Sequence, residues 1–276
     1  MLGHALRRVL DERGARAVAP AEREFDITDE STVRSVAEAF AASLGAGERG
    51  VLVNAAAYTN VERAEDDADT AYRVNEHGAR LLAEAARDAD LGFVHVSTDF
   101  VFDGTKDGAY VETDTPAPLS VYGASKLAGE RAVLAAFPAA LIVRTAWVFG
   151  ENGVNFPTKL LSLAADRDTL QVVTDEAGSP TYTADLARGI VGLVEADAAG
   201  LFHLANAGSC TRFEMAGAIL EYAGLERTLV PVTADAFPSR ARRPANSVLD
   251  CGKAAAVGVV MPGWRDALGR FIAGVQ

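Results

Sequence analysis

The sequence predicts an α/β fold, a doubly wound parallel sheet with a smaller, discontinuous C-terminal unit. Three observations predict it. Short runs apolar on both faces each end on a polar residue: Val51-Leu52-Val53-Asn54, Gly92-Phe93-Val94-His95-Val96-Ser97 and Ala140-Leu141-Ile142-Val143-Arg144. Amphipathic stretches with helical spacing lie between them, over 30–44, 69–90 and 122–136. Buried strands alternating with helices build a parallel sheet covered on both faces. The chain, at 276 residues and 49% hydrophobic, is long enough to bury such a sheet and an appendage.

In chain order, residues 1–10 read as a helix, and Ala15-Arg16-Ala17-Val18-Ala19-Pro20 reads as a strand. The alternating pattern then runs to about Gly150 and loosens. A strand-like Leu170-Gln171-Val172-Val173 leads to Gly178-Ser179-Pro180-Thr181, followed by a helix over 183–195. Gly200-Leu201-Phe202-His203-Leu204 reads as a further strand and 212–223 as a helix. A Pro- and Arg-rich loop over 237–244 precedes a last helical region. The expected division is 1–149 and 150–276, with a segment near 170–204 returning to the main sheet.

Charge and composition exclude several classes. Lysine plus arginine is 26 and aspartate plus glutamate 38, a net charge of −12, which argues against a nucleic-acid binder. No apolar run reaches the ~18–20 residues of a membrane span, and the N-terminus has no signal-peptide core. Two cysteines, Cys210 and Cys251, offer neither a disulfide framework nor a zinc spacing, so a reducing, cytoplasmic setting is expected. His4, His77, His95 and His203 lack ligand spacing, and His95 and His203 read as core residues. The acidic run Glu62, Glu65, Asp66, Asp67 and Asp69 reads as a helix N-terminal turn favoured by the dipole. Trp264 and the cysteines read as packing.

Ligands of parallel sheets bind at the carboxyl ends of the strands. Attention therefore falls on Asn54, on Ser97-Thr98-Asp99 and on Thr145-Ala146-Trp147. Beyond the second of these, Tyr122-Gly123-Ala124-Ser125-Lys126 opens a helix, placing Tyr122 and Lys126 on one face. A lysine ammonium beside a phenol favours the phenolate and is expected to lower the phenol pKa from its reference near ~10. Tyr122 then serves as proton donor, and Thr98 shares the same carbonyl oxygen. Such a set suits reduction of a ketone by hydride from a nicotinamide.

These residues carry a resemblance. Ser97-Thr98-Asp99-Phe100-Val101-Phe102-Asp103-Gly104, Tyr110-Val111-Glu112-Thr113-Asp114, Pro118 and Tyr122-Gly123-Ala124-Ser125-Lys126-Leu127-Ala128-Gly129-Glu130 resemble the dTDP-4-dehydrorhamnose reductase family of extended short-chain dehydrogenases. The likeness extends to Asn54-Ala55-Ala56-Ala57-Tyr58-Thr59, Arg144-Thr145-Ala146-Trp147-Val148-Phe149, Gly178-Ser179-Pro180-Thr181 and Ala241-Arg242-Arg243-Pro244-Ala245-Asn246-Ser247. It covers almost the whole chain.

The resemblance implies a Rossmann-like dinucleotide-binding part, a C-terminal substrate part, and NADPH or NADH as cofactor. The implied reaction reduces the C4 ketone of a dTDP-4-keto-6-deoxysugar, foremost dTDP-4-dehydro-β-L-rhamnose to dTDP-β-L-rhamnose. Tyr122 would be the acid, Lys126 would bind the nicotinamide ribose, and Thr98 would assist at the keto oxygen. Gly3, Asp26, Ile27, Ala57, Tyr58 and Thr59 would line the cofactor site. Asp99 and Trp147 would touch the sugar, with Arg242, Arg243, Asn246 and Ser247 in the nucleotide-sugar region. An arginine cluster suits a diphosphate through bidentate contacts. Arg23, past the expected second strand, would meet a 2′-phosphate. No metal site, nucleic acid or membrane enters this reading, and a monomer or homodimer is expected.

There are two departures. Phe100 stands where the family has tyrosine, removing a hydroxyl near the substrate. The first strand and most of the glycine turn are missing before Leu2-Gly3, which predicts a longer cellular protein and a weaker cofactor site in the chain as given. Two alternatives are a non-catalytic subunit, like the methionine adenosyltransferase regulatory β subunit that resembles the same family, and a ketoreductase for another deoxysugar. Thr98, Tyr122 and Lys126 together favour an enzyme.

Overall fold

The computed structural model describes residues 1–20 and 24–275. Its centre is a parallel sheet of β1 (Val51–Asn54), β2 (Gly92–Thr98), β3 (Leu141–Thr145) and β5 (Gly200–His203), in the order β1-β2-β3-β5. The register sets Val51 opposite Gly92, Val94 opposite Leu141, and Leu141 opposite Gly200. Strand β4 (Thr169–Val173) pairs in parallel with β6 (Thr228–Val232) in a separate two-stranded sheet. Of the segment expected near the main sheet, Gly200–His203 pairs with β3 while Thr169–Val173 does not.

Both faces of the main sheet are covered, because successive side chains point to opposite sides. Val94, Leu141, Val143 and Phe202 pack with α1 (Leu2–Glu12), through Ala5, Leu6 and Val9, and with a helix over Thr183–Glu195. Phe93 and Ile142 face the other way, against α2 (Glu30–Ala42), α3 (Ala79–Asp88) and α4 (Val121–Ala136). Full burial of a side chain such as Ile142 is worth about 1.5–3 kcal/mol. The fold is Rossmann-like and doubly wound. A third core, built on Phe149, Met215, Ile219 and Phe271, lies in the C-terminal part. Among the described residues no helix is long and apolar enough to cross a membrane.

The sequence expectations fail at two places. Residues 15–20 form no strand, since no described strand offers them a backbone ladder. They lie outside any helix or strand, Val18 is 63% exposed, and Arg16 donates to Ser43 O and lies over the Phe40 ring. The helix expected over 69–90 is divided: Ala68–Tyr72 passes into a π-helical turn, Arg73–Gly78, before α3. Arg23 lies outside the described residues.

Candidate active site

The site begins with how α4 is seated. Ser120 caps it by accepting from Gly123 N at 3.2 Å, and Glu65 Oε1 accepts from Val121 N at 2.9 Å. Gly123 is required by proximity, since a Cβ there would lie 2.2 Å from the Phe100 carbonyl oxygen. The start of α4 is thereby held against the end of β2, bringing Tyr122 beside Thr98 and Asp99. About two turns further on, Glu130 anchors the helix in the core. Arg144 donates to it twice, at 2.8 and 2.6 Å, and Ser97 Oγ donates to Oε1 at 2.5 Å.

Lys126 is buried, at 2% exposure, and Nζ donates to Val96 O at 2.7 Å. It stands 3.4 Å from His95 Nε2, and Asn54 Nδ2 approaches His95 Nδ1 at 3.1 Å. Burial pulls Lys126 down to about 8 and holds His95 well below its ordinary value, with the lysine charge adding to the latter effect. His95 is thus a fully buried strand residue, as its place in the sequence predicts, and its ring lies against Lys126 Nζ.

Tyr122 is partly buried, with Phe100 edge-on to its ring at 5.5 Å. Burial pushes its phenol up to about 12, opposed by the Thr98 hydroxyl and reinforced by Asp99. The expected depression by Lys126 is absent, because desolvation of the phenolate dominates and Nζ is turned to Val96 O. Thr98 Oγ1 donates to Asp99 Oδ1 at 3.0 Å and accepts from Phe100 N at 3.2 Å. Asp99 is 2% exposed, and its Oδ2 has no hydrogen-bond partner among the described residues. Burial pushes its carboxyl up to about 6, against the hydroxyls of Ser247 and Thr98 and the Arg212 charge.

Trp147 follows β3 in the left-handed region, at φ 45°, a costly conformation for a bulky residue. Packing on both sides holds it there. The Arg212 guanidinium lies 3.4 Å over its ring, and a Cβ on Gly178 would come within 2.3 Å of it. Arg212 pairs with Glu176 and is felt electrostatically by Asp99, so it belongs to this side of the site.

The remaining sequence-predicted residues divide. Ser247 is buried and its hydroxyl lowers the Asp99 pKa, although no hydrogen bond to Ser247 Oγ forms among the described residues. Asn246 is spent on the backbone, donating to Lys106 O and Gly108 O at 2.7 Å and accepting from Val248 N at 3.1 Å. Arg243 pairs with Glu62 at 2.9 Å, Arg240 pairs with Asp66, and Arg242 stands exposed. The acidic run thus clasps the 239–243 loop, and Ser239, Arg243 and Arg240 together hold the Glu62 carboxyl down to about 2.

On the cofactor side, Asn75 ties the loop after β1 to α4. Its amide accepts from Tyr58 N at 2.8 Å and donates to Tyr58 O at 3.1 Å and Ser125 Oγ at 2.9 Å. The π-helical turn supplies the extra backbone that aims it there. Ala57 and Tyr58 are half-buried and Thr59 is exposed; the buried Tyr58 hydroxyl lacks a partner among the described residues. Gly3 lies in the first turn of α1, Asp26 folds back on Thr28, and Ile27 is buried against Gly78. Sequence reasoning missed Asn75 and Arg212, and the partners of Glu65 and His95, which it had read only as a helix-turn carboxylate and a core residue. Asn75 alone left a trace, as an asparagine inside a helical pattern.

The family described as "RmlD substrate binding domain" matches residues 1–276. The chain is 40% identical to the dTDP-4-dehydrorhamnose reductase of Aggregatibacter actinomycetemcomitans, over 97% of this chain and 93% of that one. It is 39% identical to the dTDP-4-keto-6-deoxy-D-glucose reductase of Streptomyces niveus, over 90% and 85%. A crystal structure of dTDP-4-dehydrorhamnose reductase from Bacillus anthracis in complex with NADP superposes with a TM-score of 0.93, at 35% identity, covering 99% of this chain and 95% of that one. With a matching family across its full length and relatives 40% identical over nearly all of both chains, the chain belongs to the RmlD family of dTDP-4-dehydrorhamnose reductases.

Proposed function

We infer that this protein reduces the C4 ketone of a dTDP-4-keto-6-deoxysugar, with dTDP-4-dehydro-β-L-rhamnose the foremost substrate and NADPH or NADH the reductant. The observation that carries this reading is the convergence of Tyr122, Thr98, Asp99 and Lys126 at the end of β2 in a chain that aligns throughout with such reductases. The residues present fit the nicotinamide-ribose end of the cofactor. Lys126 Nζ spends one of its three donors on Val96 O, and the buried Tyr58 hydroxyl lacks a described partner. Lys126, Tyr122, Ala57, Tyr58 and Thr59 would hold it, with Gly3, Asp26 and Ile27 further along. When bound, the cofactor supplies a hydride.

The protein's own part is acid catalysis and orientation. With its pKa up at about 12, Tyr122 remains a protonated phenol at neutral pH, so it is an acid and not a base. It delivers its proton to the ketone oxygen as that oxygen gains charge. Thr98 has its own proton on Asp99, so it orients the acid pair and stabilises the developing charge only after that bond turns. Asp99 and Trp147 face the sugar ring. Arg243 and Arg242, from the loop over 239–243, would meet the diphosphate after Arg243 leaves Glu62, with Ser247 beneath and Asn246 shaping the turn. We divide the chain functionally into a cofactor part, 1–149, and a substrate part, 150–276, whose strand β5 lies in the main sheet. A cytoplasmic monomer or homodimer completes the reading.

The test is loss of nicotinamide absorbance with dTDP-4-dehydro-β-L-rhamnose and, separately, dTDP-4-keto-6-deoxy-D-glucose. Faster turnover of the first supports the principal reading. Preference for the second supports a different deoxysugar, a reading favoured by the Streptomyces niveus relative. Binding of cofactor without turnover of either would point to the non-catalytic alternative.

A further inference from the structure

His95 is fully buried, and its hydrogen bonds fix which nitrogen carries the proton. Asn54 Oδ1 accepts from Ala56 N at 3.1 Å, which orients the amide so that Nδ2, a donor only, is the atom 3.1 Å from His95 Nδ1. His95 Nδ1 must therefore present its lone pair, and the ring proton sits on Nε2. That N–H points at Lys126 Nζ, 3.4 Å away. An ammonium has three donors and no acceptor. One goes to Val96 O at 2.7 Å, and the face nearest His95 finds a donor where it needs an acceptor. The other groups around Nζ do not relieve this. Glu130, one turn along α4, has its carboxylate occupied by Arg144 from β3 and by Ser97 from β2. Tyr122, one turn back, is a neutral phenol at ordinary pH, with Asp99 beyond it at the end of β2.

We propose that His95, locked in its Nε2–H tautomer by Asn54, is a positioning residue that withholds an acceptor from Lys126 and leaves two of its three donors for hydroxyls of a ligand at the strand ends. This rests on the reading of Lys126 as the residue that holds the cofactor ribose. It explains why a nearly fully buried lysine has no carboxylate paired with it among the described residues. The ammonium is left short of partners within the protein, so Nζ loses its proton readily until a ligand supplies the missing oxygens. Burial lowers Lys126 to about 8, opposed by the Glu130 charge, and this is the midpoint from which the variants below are read.

The experiment is a pH titration of the lysine Nζ signals by NMR on the cofactor-free chain. Only four lysines are present, Lys106, Lys126, Lys159 and Lys253, and Lys126→Arg assigns the signal. His95→Gln places an amide that can turn its oxygen to Nζ, and the Lys126 midpoint should rise by about one pH unit. Asn54→Leu frees the His95 ring to take the other tautomer, and should raise the midpoint by a different route. His95→Phe supplies no acceptor and should leave the midpoint low. Thermal unfolding of each variant identifies any that fails to fold, and either Asn54→Leu or His95→Gln suffices against His95→Phe. Midpoints unchanged in both acceptor-gaining variants would overturn the proposal. So would a rise in His95→Phe as large as that in His95→Gln, because loss of the ring and not gain of an acceptor would then be the cause. Ketone turnover plays no part in this readout, so its failure and the failure of the reductase reading are separate results.

Discussion

Arg144 on β3 grips Glu130 on α4 with two parallel contacts, Nε to Oε1 at 2.8 Å and Nη2 to Oε2 at 2.6 Å. Both side chains are almost completely buried, and the Arg144 guanidinium also lies over the Phe102 ring. The pair fastens the helix bearing Tyr122 and Lys126 to the sheet. Two buried charges gain little net stability over an apolar pair, yet removing one leaves the other uncompensated.

Glu130→Gln should therefore destabilise the protein by about 3–5 kcal/mol, read as a lower denaturant midpoint. Replacing both residues together, Glu130→Leu with Arg144→Met, should recover much of that loss. A double variant as unstable as the two single losses added would show that the pair carries more than charge compensation.

Tyr122→Phe removes the acid and little else, because the ring keeps its edge contact with Phe100. Turnover should fall about 10²–10⁴-fold, with cofactor affinity almost unchanged in a fluorescence titration. Near wild-type turnover would remove Tyr122 from its role.

Asp99 ties stability to pH. Its folded carboxyl titrates at about 6, above the unfolded value of 3.8, so folding favours the protonated form. The group imposes no penalty below the unfolded pKa; the penalty grows as pH rises through that value and is complete above the folded pKa. Asp99→Asn should accordingly raise the unfolding free energy at pH 7 by about 1–3 kcal/mol while lowering activity. The gain should fade as pH falls from 6 towards 4. An Asn variant no more stable than the parent at pH 7 would contradict this.

Asn75→Ala breaks the amide's three hydrogen bonds to Tyr58 and Ser125. At about 0.5–1.5 kcal/mol for each bond, the loop after β1 should loosen and cofactor binding weaken, with the core strands unaffected. Hydrogen exchange at residues 56–59 checks the first effect and a binding titration the second. Unchanged exchange there would show that the loop is held otherwise.

Strands β1, β2, β3 and β5 and helix α4 were legible because each is long enough for its apolar pattern to reveal its burial. Residues 15–20 look like a strand, but strand formation needs a neighbour's backbone, which no side-chain pattern can supply. Tyr122, Lys126, Thr98 and Asp99 were visible through spacing and strand-end position. Asn75, His95 and Arg212 were not, since each acts through a partner distant in sequence: Tyr58, Lys126 and Trp147. The phenol pKa went the other way for the same reason. Helical spacing places Lys126 near Tyr122 but says nothing of Val96 O, to which the ammonium turns, or of the packing that desolvates the phenol.

Hydride transfer to the C4 ketone is tested by the fate of a labelled hydride. The protein is incubated with nicotinamide cofactor deuterated at C4 and dTDP-4-dehydro-β-L-rhamnose, and the sugar is read by NMR. The wild-type chain should place one deuterium on C4 of dTDP-β-L-rhamnose, and Tyr122→Phe should reduce the rate of labelling by orders of magnitude. An intact ketone despite bound cofactor, or product carrying no deuterium at C4, would contradict it.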